Sequence, residues 1–210
     1  MIPRLAAALA LVATPLTADT AGEFDYYVLS LSWSPNWCAR EGDARDLPQC
    51  DDARNFGWVL HGLWPQYEQG WPANCLTSHT PPPRRMTEGM ADIMGTSGLA
   101  WHQWNKHGSC TGLLPADFYA LAREAYDSIA LPPVFMALTG AVALPASVVE
   151  EAFLAANPGL DADEITITCT DGYIQEARIC LTRDDLALRR CGADVRRDCT
   201  LQDALFNPVR

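Results

Sequence analysis

Three of the four histidines fall in two short aromatic segments of the sequence. His61 lies in the first segment, residues 58–65, and His102 and His107 lie in the second, residues 101–110. Histidine is the side chain whose charge changes near neutral pH, so a pair of histidines can remove one proton and deliver another in a single reaction. The pattern predicts general acid–base catalysis at a site built from both segments.

The second segment places its polar side chains on one face if it is helical. At about 100 degrees per residue, four polar groups fall within an arc of about 140 degrees. These groups are His102, Gln103, Lys106 and His107. Trp101, Trp104 and Asn105 fall on the other side, where the tryptophans can be buried while the polar face borders a cleft. An ordinary amphipathic helix with its polar side in solvent has the same pattern.

Lys106 is the only lysine in the chain. A compact ammonium group acts on a phosphate as a point charge, which gives a physical reason for a lysine at this position. A zinc-binding helix is disfavoured, because His102 and His107 are five residues apart whereas metal-binding pairs lie one helical turn apart. We therefore expect phosphate chemistry without a metal or another cofactor.

The charge balance limits the possible functions. The chain has 15 Lys and Arg against 26 Asp and Glu, a net charge of -11, and an isoelectric point of about 4.6. Such a surface cannot hold a polyanion through a broad basic footprint, which argues against a nucleic-acid coat or scaffold. An enzyme that contacts phosphates through a few cations in a cleft is compatible with it.

The first 18 residues have the layout of a secretory signal peptide. Arg4 precedes an apolar run over residues 5–12, and small residues continue to Ala18, where we expect cleavage. Pro15 interrupts the run too early for a membrane anchor. We therefore expect a secreted or periplasmic protein, no association with a membrane, and a single domain over residues 19–210.

An even set of eight cysteines in an exported chain predicts disulfide bonds. They are Cys38, Cys50, Cys75, Cys110, Cys169, Cys180, Cys191 and Cys199. A zinc site is the alternative, but no two of these cysteines have the short separation that is usual in zinc knuckles.

The apolar periodicity predicts both strands and helices. The expected strands cover residues 24–33, 55–64, 164–170 and 173–181, and the expected helices cover 97–107, 115–129 and 147–156. Ser97 is the expected cap of the first helix, and Ser147 with Glu150 forms a capping-box pattern for the third. Asp171-Gly172 between the last two strands is a typical hairpin turn.

The hairpin turn excludes one disulfide. With Asp171 and Gly172 in the turn, Cys169 lies opposite Ile174, and Cys180 is six residues further along, about 20 Å away. A disulfide needs Cα atoms within about 7 Å, so these two cysteines cannot pair. The other pairings stay open at this point.

The two histidine segments resemble the active-site segments of the RNase T2 family. The resemblance is carried by His-Gly-Leu-Trp-Pro at 61–65 and Lys-His-Gly-Ser-Cys at 106–110, and it extends to the strand at 24–33 and the C-terminal cysteines. It implies an α+β fold with a central antiparallel sheet packed against several helices. It also implies an endoribonuclease that cleaves single-stranded RNA, and not DNA, through its 2'-hydroxyl. The products would be 2',3'-cyclic phosphates, hydrolysed more slowly to 3'-phosphates.

The resemblance implies roles for individual residues. His107 would be the general base that takes the 2'-hydroxyl proton, and His61 the general acid that protonates the leaving 5'-oxygen. His102 and Lys106 would hold the phosphate, and Trp64 would stack on a base. Trp58 and Trp71 are expected to be structural, and His79 is expected to be a solvated surface residue.

Two positions depart from the family pattern. Gln103 stands where the family commonly has glutamate; its amide can donate to a phosphoryl oxygen but cannot titrate, which predicts a pH optimum nearer neutrality. Gln66 occupies a substrate-binding position that is often acidic or Asn, which bears on base preference.

The resemblance also implies a set of disulfides and leaves two alternatives open. The implied pairs are Cys38–Cys50, Cys75–Cys110, Cys169–Cys199 and Cys180–Cys191. The protein is expected to act as a monomer. The alternatives are a catalytically inactive member of the same fold that binds RNA or protein, and a secreted zinc hydrolase.

Overall fold

A computed structural model describes residues 19–210 of the chain, so the expected signal peptide at 1–18 lies outside the described residues. The strands are β1 Tyr26–Trp33, β2 Trp58–Gln66, β3 Val142–Leu144, β4 Ile165–Thr170, β5 Tyr173–Thr182 and β6 Ala204–Phe206. The helices are α1 Ser34–Trp37, α2 Arg84–Glu88, α3 Ala91–Met94, α4 Ser97–Lys106, α5 Pro115–Asp127 and α6 Ala146–Ala156. Within this part of the chain, no helix is both long and apolar enough to cross a bilayer.

The strands form one sheet with the order β2-β1-β5-β6-β3, and β4 pairs with β5. The long strands β1, β2, β4 and β5 pair antiparallel. The only parallel contact between the described strands joins β5 to β6 through Tyr173 and Leu205. The predicted α+β fold, a largely antiparallel sheet packed against helices, is confirmed.

Strand β1 separates two apolar clusters because its side chains alternate between the faces of the sheet. Leu29, Leu31 and Trp33 belong to the main core, which the helices cover. Tyr26 and Val28 point to the other face, where a smaller buried cluster includes Cys180, Cys191 and Val195. The sheet is therefore covered on one face by helices and on the other by the C-terminal segment.

Two helix starts differ from the prediction. Helix α4 is capped by Thr96, whose side chain accepts a hydrogen bond from the Leu99 amide at 3.1 Å, because Thr96 is the last residue with extended backbone and Ser97 is already helical. Helix α6 begins directly after Pro145, so Ser147 lies inside the first turn and the predicted capping box does not form.

The hairpin of β4 and β5 has the predicted register, with Cys169 opposite Ile174. Four disulfides join the described residues, in the pairs Cys38–Cys50, Cys75–Cys110, Cys169–Cys199 and Cys180–Cys191. These are the pairs that the family resemblance implies. The second bond links the chain after β2 to the turn that ends α4, so it ties the second histidine segment to the chain that follows the first.

Candidate active site

A β-bulge in β2 places His61 on the site face of the sheet. The register pairs Ser30 with Gly62 and Leu31 with Leu60, which leaves His61 without a partner on β1. A bulge inserts one extra residue and re-aims the neighbouring side chains. Leu60 and Leu63 therefore both reach the main core although they are three residues apart, while His61 between them is only partly buried.

Gly62 allows helix α4 to close against β2. A Cβ atom at this position would overlap the Gln103 amide oxygen and the Trp64 indole nitrogen. These two groups are hydrogen-bonded, since the Trp64 Nε1 donates to the Gln103 Oε1 at 2.7 Å. The glycine of the first motif is thus required by a close approach of the second motif.

All seven residues predicted for the site line one cavity of about 290 Å³, called here the small cavity. They are His61, Trp64, Gln66, His102, Gln103, Lys106 and His107. A second cavity of about 660 Å³, the large cavity, shares His61, His102, Gln175 and Glu176 with it and extends past Asn36 and Arg40. The cleft therefore continues on both sides of His61.

Helix α4 lines the small cavity with its predicted polar face, but the side chains that it buries differ from the predicted ones. Its buried arc is formed by Ala100, Gln103 and Trp104. Trp101 lies beyond this arc and is 43% exposed, so the prediction that both tryptophans are buried was wrong for Trp101. His102 is also exposed and Lys106 half-buried, so these two cations stand at the mouth of the cleft.

Gln103 is engaged within the protein. Its side chain is buried, and its amide oxygen accepts the hydrogen bond from Trp64. The amide oxygen is therefore occupied, and only the amide nitrogen is left for the expected contact with a phosphoryl oxygen.

Trp64 stands between the two imidazoles. Its ring stacks on His107 with centroids 5.2 Å apart and meets the edge of His61, also at 5.2 Å. The Arg178 guanidinium lies 5.3 Å from the ring centre. The ring is thus engaged with the site histidines, and it fixes their separation.

Trp71 was expected to be structural, but its side chain lines the small cavity and is 55% exposed. The turn before it is fixed, because the Gly70 amide donates to the Asp194 carboxylate at 2.6 Å. The chain then follows the rim of the small cavity, so no core side chains cover the Trp71 indole. Trp58, by contrast, is buried as expected.

His107 is a buried imidazole at the end of α4. It is 4% exposed, and its Nδ1 has no hydrogen-bond partner among residues 19–210. Burial, together with the charges of Lys106, His61 and His102, lowers the pKa of His107 to about 3. The ring is therefore neutral at ordinary pH and able to accept a proton.

His61 has the opposite environment. Its Nδ1 lies 2.5 Å from the Glu176 Oε1. The second oxygen of this buried carboxylate accepts a hydrogen bond from the Arg178 Nε at 2.8 Å, and a terminal nitrogen of Arg178 forms an ion pair with it at 2.7 Å. Burial alone raises the pKa of Glu176, but the hydrogen bonds and charges of His61 and Arg178 outweigh it and hold the pKa at about 2. An ionised carboxylate at Nδ1 accepts the hydrogen of that nitrogen and leaves Nε2 of the ring free.

Glu176 and Arg178 were missed from the sequence. Their spacing of two puts both side chains on one face of the predicted hairpin strand, and Gln175 sits at a bulge in the β4 register. In the sequence, only the two opposite charges on one face of this strand could have indicated a role for the pair. This pattern could not identify His61 as the partner of Glu176, because β1 lies between β2 and β5.

Chemically, the arrangement places a buried, neutral imidazole and an imidazole bound to an ionised carboxylate at a single cavity. Two imidazoles in such different environments are suited to act as base and acid in one reaction. Cationic groups at the cleft mouth can hold an anion between them.

Comparison with known proteins gives matches of three kinds. Residues 24–191 match the Ribonuclease T2 family. A ribonuclease from Aeromonas hydrophila is 46% identical over 104 residues, which cover 50% of this chain and 46% of that protein. A probable ribonuclease from Haemophilus influenzae is 35% identical over 120 residues, 51% of this chain and 44% of that protein. The chain thus spans about half the length of the curated relatives it matches.

Solved structures share the fold at low sequence identity. An RNase-related protein from Calystegia sepium superposes with a TM-score of 0.65 at 16% identity, covering 89% of this chain and 98% of that one. RNase NT in complex with 5'-AMP gives a TM-score of 0.63 at 16% identity, with 90% and 100% covered. Because the family match spans most of the sequence and includes both histidine segments, the chain belongs to the Ribonuclease T2 family.

Proposed function

We propose that the protein is an endoribonuclease that cleaves single-stranded RNA by transphosphorylation, without a metal ion. The observation that carries the proposal is the contrast between buried, neutral His107 and carboxylate-bound His61 across one cavity. Membership of the Ribonuclease T2 family and the names of the bacterial relatives support it.

In the proposed reaction, His107 removes the proton of the 2'-hydroxyl, and the 2'-oxygen attacks the adjacent phosphorus. The bond from phosphorus to the 5'-oxygen breaks as His61 gives its proton to that oxygen. The product is a 2',3'-cyclic phosphate, which water hydrolyses more slowly to a 3'-phosphate with the proton transfers reversed. His102 and Lys106 stabilise the added negative charge of the pentacoordinate phosphorus.

The two cavities suit the nucleotides on either side of the broken bond. The small cavity offers the exposed indole of Trp71 as a stacking surface, and stacking on unpaired bases tolerates any base. Gln66 is buried at the same cavity, with its amide oxygen unpaired among the described side chains. We assign Gln66 and Trp64 to substrate binding as well, with Trp64 acting partly through its contact with His107.

The pH range of this mechanism follows from the base. His107 must be neutral, so its low pKa extends the active range into acid, further than the sequence-based expectation of a near-neutral optimum. The limb at high pH is set by loss of the proton from His61.

We further propose that the protein is exported and acts as a monomer without a cofactor. The leader-like residues 1–18 and the four disulfides support an oxidising compartment. The strongly acidic surface supports a few local contacts with RNA rather than a broad nucleic-acid interface.

Substrate modification tests the proposal. A single-stranded oligoribonucleotide is expected to be cut in excess EDTA, while DNA and 2'-O-methyl RNA of the same sequence are not, because both lack the internal nucleophile. Gel separation of end-labelled strands measures this. Loss of RNA cleavage in EDTA would instead favour the zinc hydrolase, and binding of RNA without any cleavage would favour the inactive member of the fold.

A further inference from the structure

We propose that Glu176, held by Arg178, is a positioning residue that binds the Nδ1 hydrogen of His61 and leaves Nε2 to reach the leaving oxygen. The inference rests on the proposed function, because it concerns His61, the general acid of the proposed reaction. It adds a residue pair from β5 that lies outside both histidine segments.

The contact between His61 and Glu176 depends on the shape of the sheet. The two residues lie on β2 and β5, the strands on either side of β1. Between them β1 presents only Ser30, paired with Gly62 and Arg178, and Ser32, paired with Glu176. These small side chains leave room for the imidazole and the carboxylate to meet above β1.

Both carboxylate oxygens of Glu176 have fixed partners. Oε1 contacts the His61 Nδ1, while Oε2 accepts a hydrogen bond from the Arg178 Nε and forms an ion pair with a terminal nitrogen of Arg178. The residue is 1% exposed, so water does not compete for these bonds. Arg178 thereby fixes the rotation of the carboxylate and keeps it ionised.

This arrangement favours the form of His61 that an acid requires. The carboxylate accepts the Nδ1 hydrogen and stabilises the imidazolium, while Nε2 carries the proton that is transferred. After the transfer, the hydrogen remains on Nδ1, where it is hydrogen-bonded to the Glu176 carboxylate, and the Nε2 lone pair is free. The neutral ring is then in the tautomer that can take a proton from water during hydrolysis of the cyclic phosphate.

Other charged groups also surround His61. Groups from four directions face the ring or line the cavities it borders: Glu176 and Arg178 from β5, His102, Lys106 and His107 from α4, Asp194 across the small cavity, and Arg40, Glu41 and Arg45 across the large one. Among these described groups, Glu176 is the anion in direct contact with the ring. Replacing Glu176 therefore removes the contact that holds Nδ1.

The variant Glu176→Gln tests the positioning role of Glu176 by changing which nitrogen of His61 carries the hydrogen. Arg178 can only donate, so it selects the amide oxygen and turns the amide hydrogens toward the His61 Nδ1. With a dinucleoside phosphate, kcat/KM is expected to fall roughly 100- to 10,000-fold, the scale of lost acid catalysis. Glu176→Asp keeps the charge and is expected to recover at least about tenfold over Glu176→Gln.

A substrate with an activated leaving group separates positioning from structure. In a nucleoside 3'-(4-nitrophenyl phosphate) the leaving phenolate needs no proton, so Glu176→Gln is expected to stay within about tenfold of the wild type. Glu124→Gln, an exposed glutamate on α5, is the matched control and should change neither rate. Equal losses on both substrates would overturn the proposal.

A measurement on the wild type keeps the inference testable if Glu176→Gln does not fold. The chain has four histidines, so ¹⁵N-labelled imidazoles can be assigned by NMR with single variants. His61 Nδ1 is expected to stay protonated on both sides of the alkaline limb. An unprotonated Nδ1 contradicts the role of Glu176 while leaving the proposed ribonuclease reaction intact, whereas failure of the wild type to form a cyclic phosphate contradicts the reaction itself.

Discussion

His107→Ala is expected to lower kcat/KM roughly 100- to 10,000-fold on a dinucleoside phosphate and on the 4-nitrophenyl substrate alike. The reason is that the 2'-hydroxyl must lose its proton whatever group leaves. In the described part of the chain, His107 is the buried imidazole with a pKa lowered to about 3, so it is neutral when substrate binds. Steady-state rates on both substrates measure the effect.

The acid limb of the pH profile identifies His107 as the group responsible. A base must be neutral, so the wild-type rate is expected to hold as the pH falls and to decline only as it approaches the pKa of His107 near 3. In His107→Ala the residual rate should lack this limb. A variant that keeps the same acid limb would assign the base to another group.

His61→Ala is expected to lose a similar factor, roughly 100- to 10,000-fold, on the dinucleoside phosphate but less than about tenfold on the 4-nitrophenyl substrate. A 5'-alkoxide is a poor leaving group that needs a proton, whereas a nitrophenolate leaves without one. The two alanine variants should therefore differ in their response to the leaving group, which a general loss of folding cannot produce.

His79→Ala is the matched control for both histidine variants. His79 lies in the proline-rich loop, where its Nε2 contacts the Gly112 carbonyl at 3.2 Å, and it lines neither cavity of the site. Both rates should remain at the wild-type level. Equal losses in His61→Ala on the two substrates would show that His61 is not the acid.

The sequence identified the two histidine segments because each is a short local motif. Helical spacing correctly joined His102 to Lys106 at one face of α4, but it assigned Trp101 to the core. Helical periodicity gives the angles between side chains around the helix axis, but it does not show which face of the helix packs against the sheet. Here β2 approaches α4 at Gln103, because Gly62 permits that contact.

Glu176 could not be predicted as a partner of His61 for a related reason. The strict alternation of a strand gives the face of each residue, while the contact depends on one bulge at His61, another at Gln175 and small side chains on β1. None of these features is visible in the alternation pattern. The hairpin register, set by Asp171-Gly172 alone, was confirmed.

The disulfides also differ in how far the sequence could predict them. The hairpin register excludes a bond between Cys169 and Cys180, and in the structure each bonds elsewhere. The bond between Cys75 and Cys110 joins residues 35 positions apart. Such a pairing depends on how α4 packs against β2, so only the family resemblance indicated it.

Product analysis of a dinucleoside phosphate in excess EDTA tests the central claim most directly. Samples taken through the reaction and separated by chromatography are predicted to contain a nucleoside 2',3'-cyclic phosphate first and its 3'-phosphate later, together with a nucleoside that has a free 5'-hydroxyl. A 5'-phosphate product, or no cleavage until a metal ion is added, would contradict a reaction in which the 2'-oxygen attacks between His107 and His61.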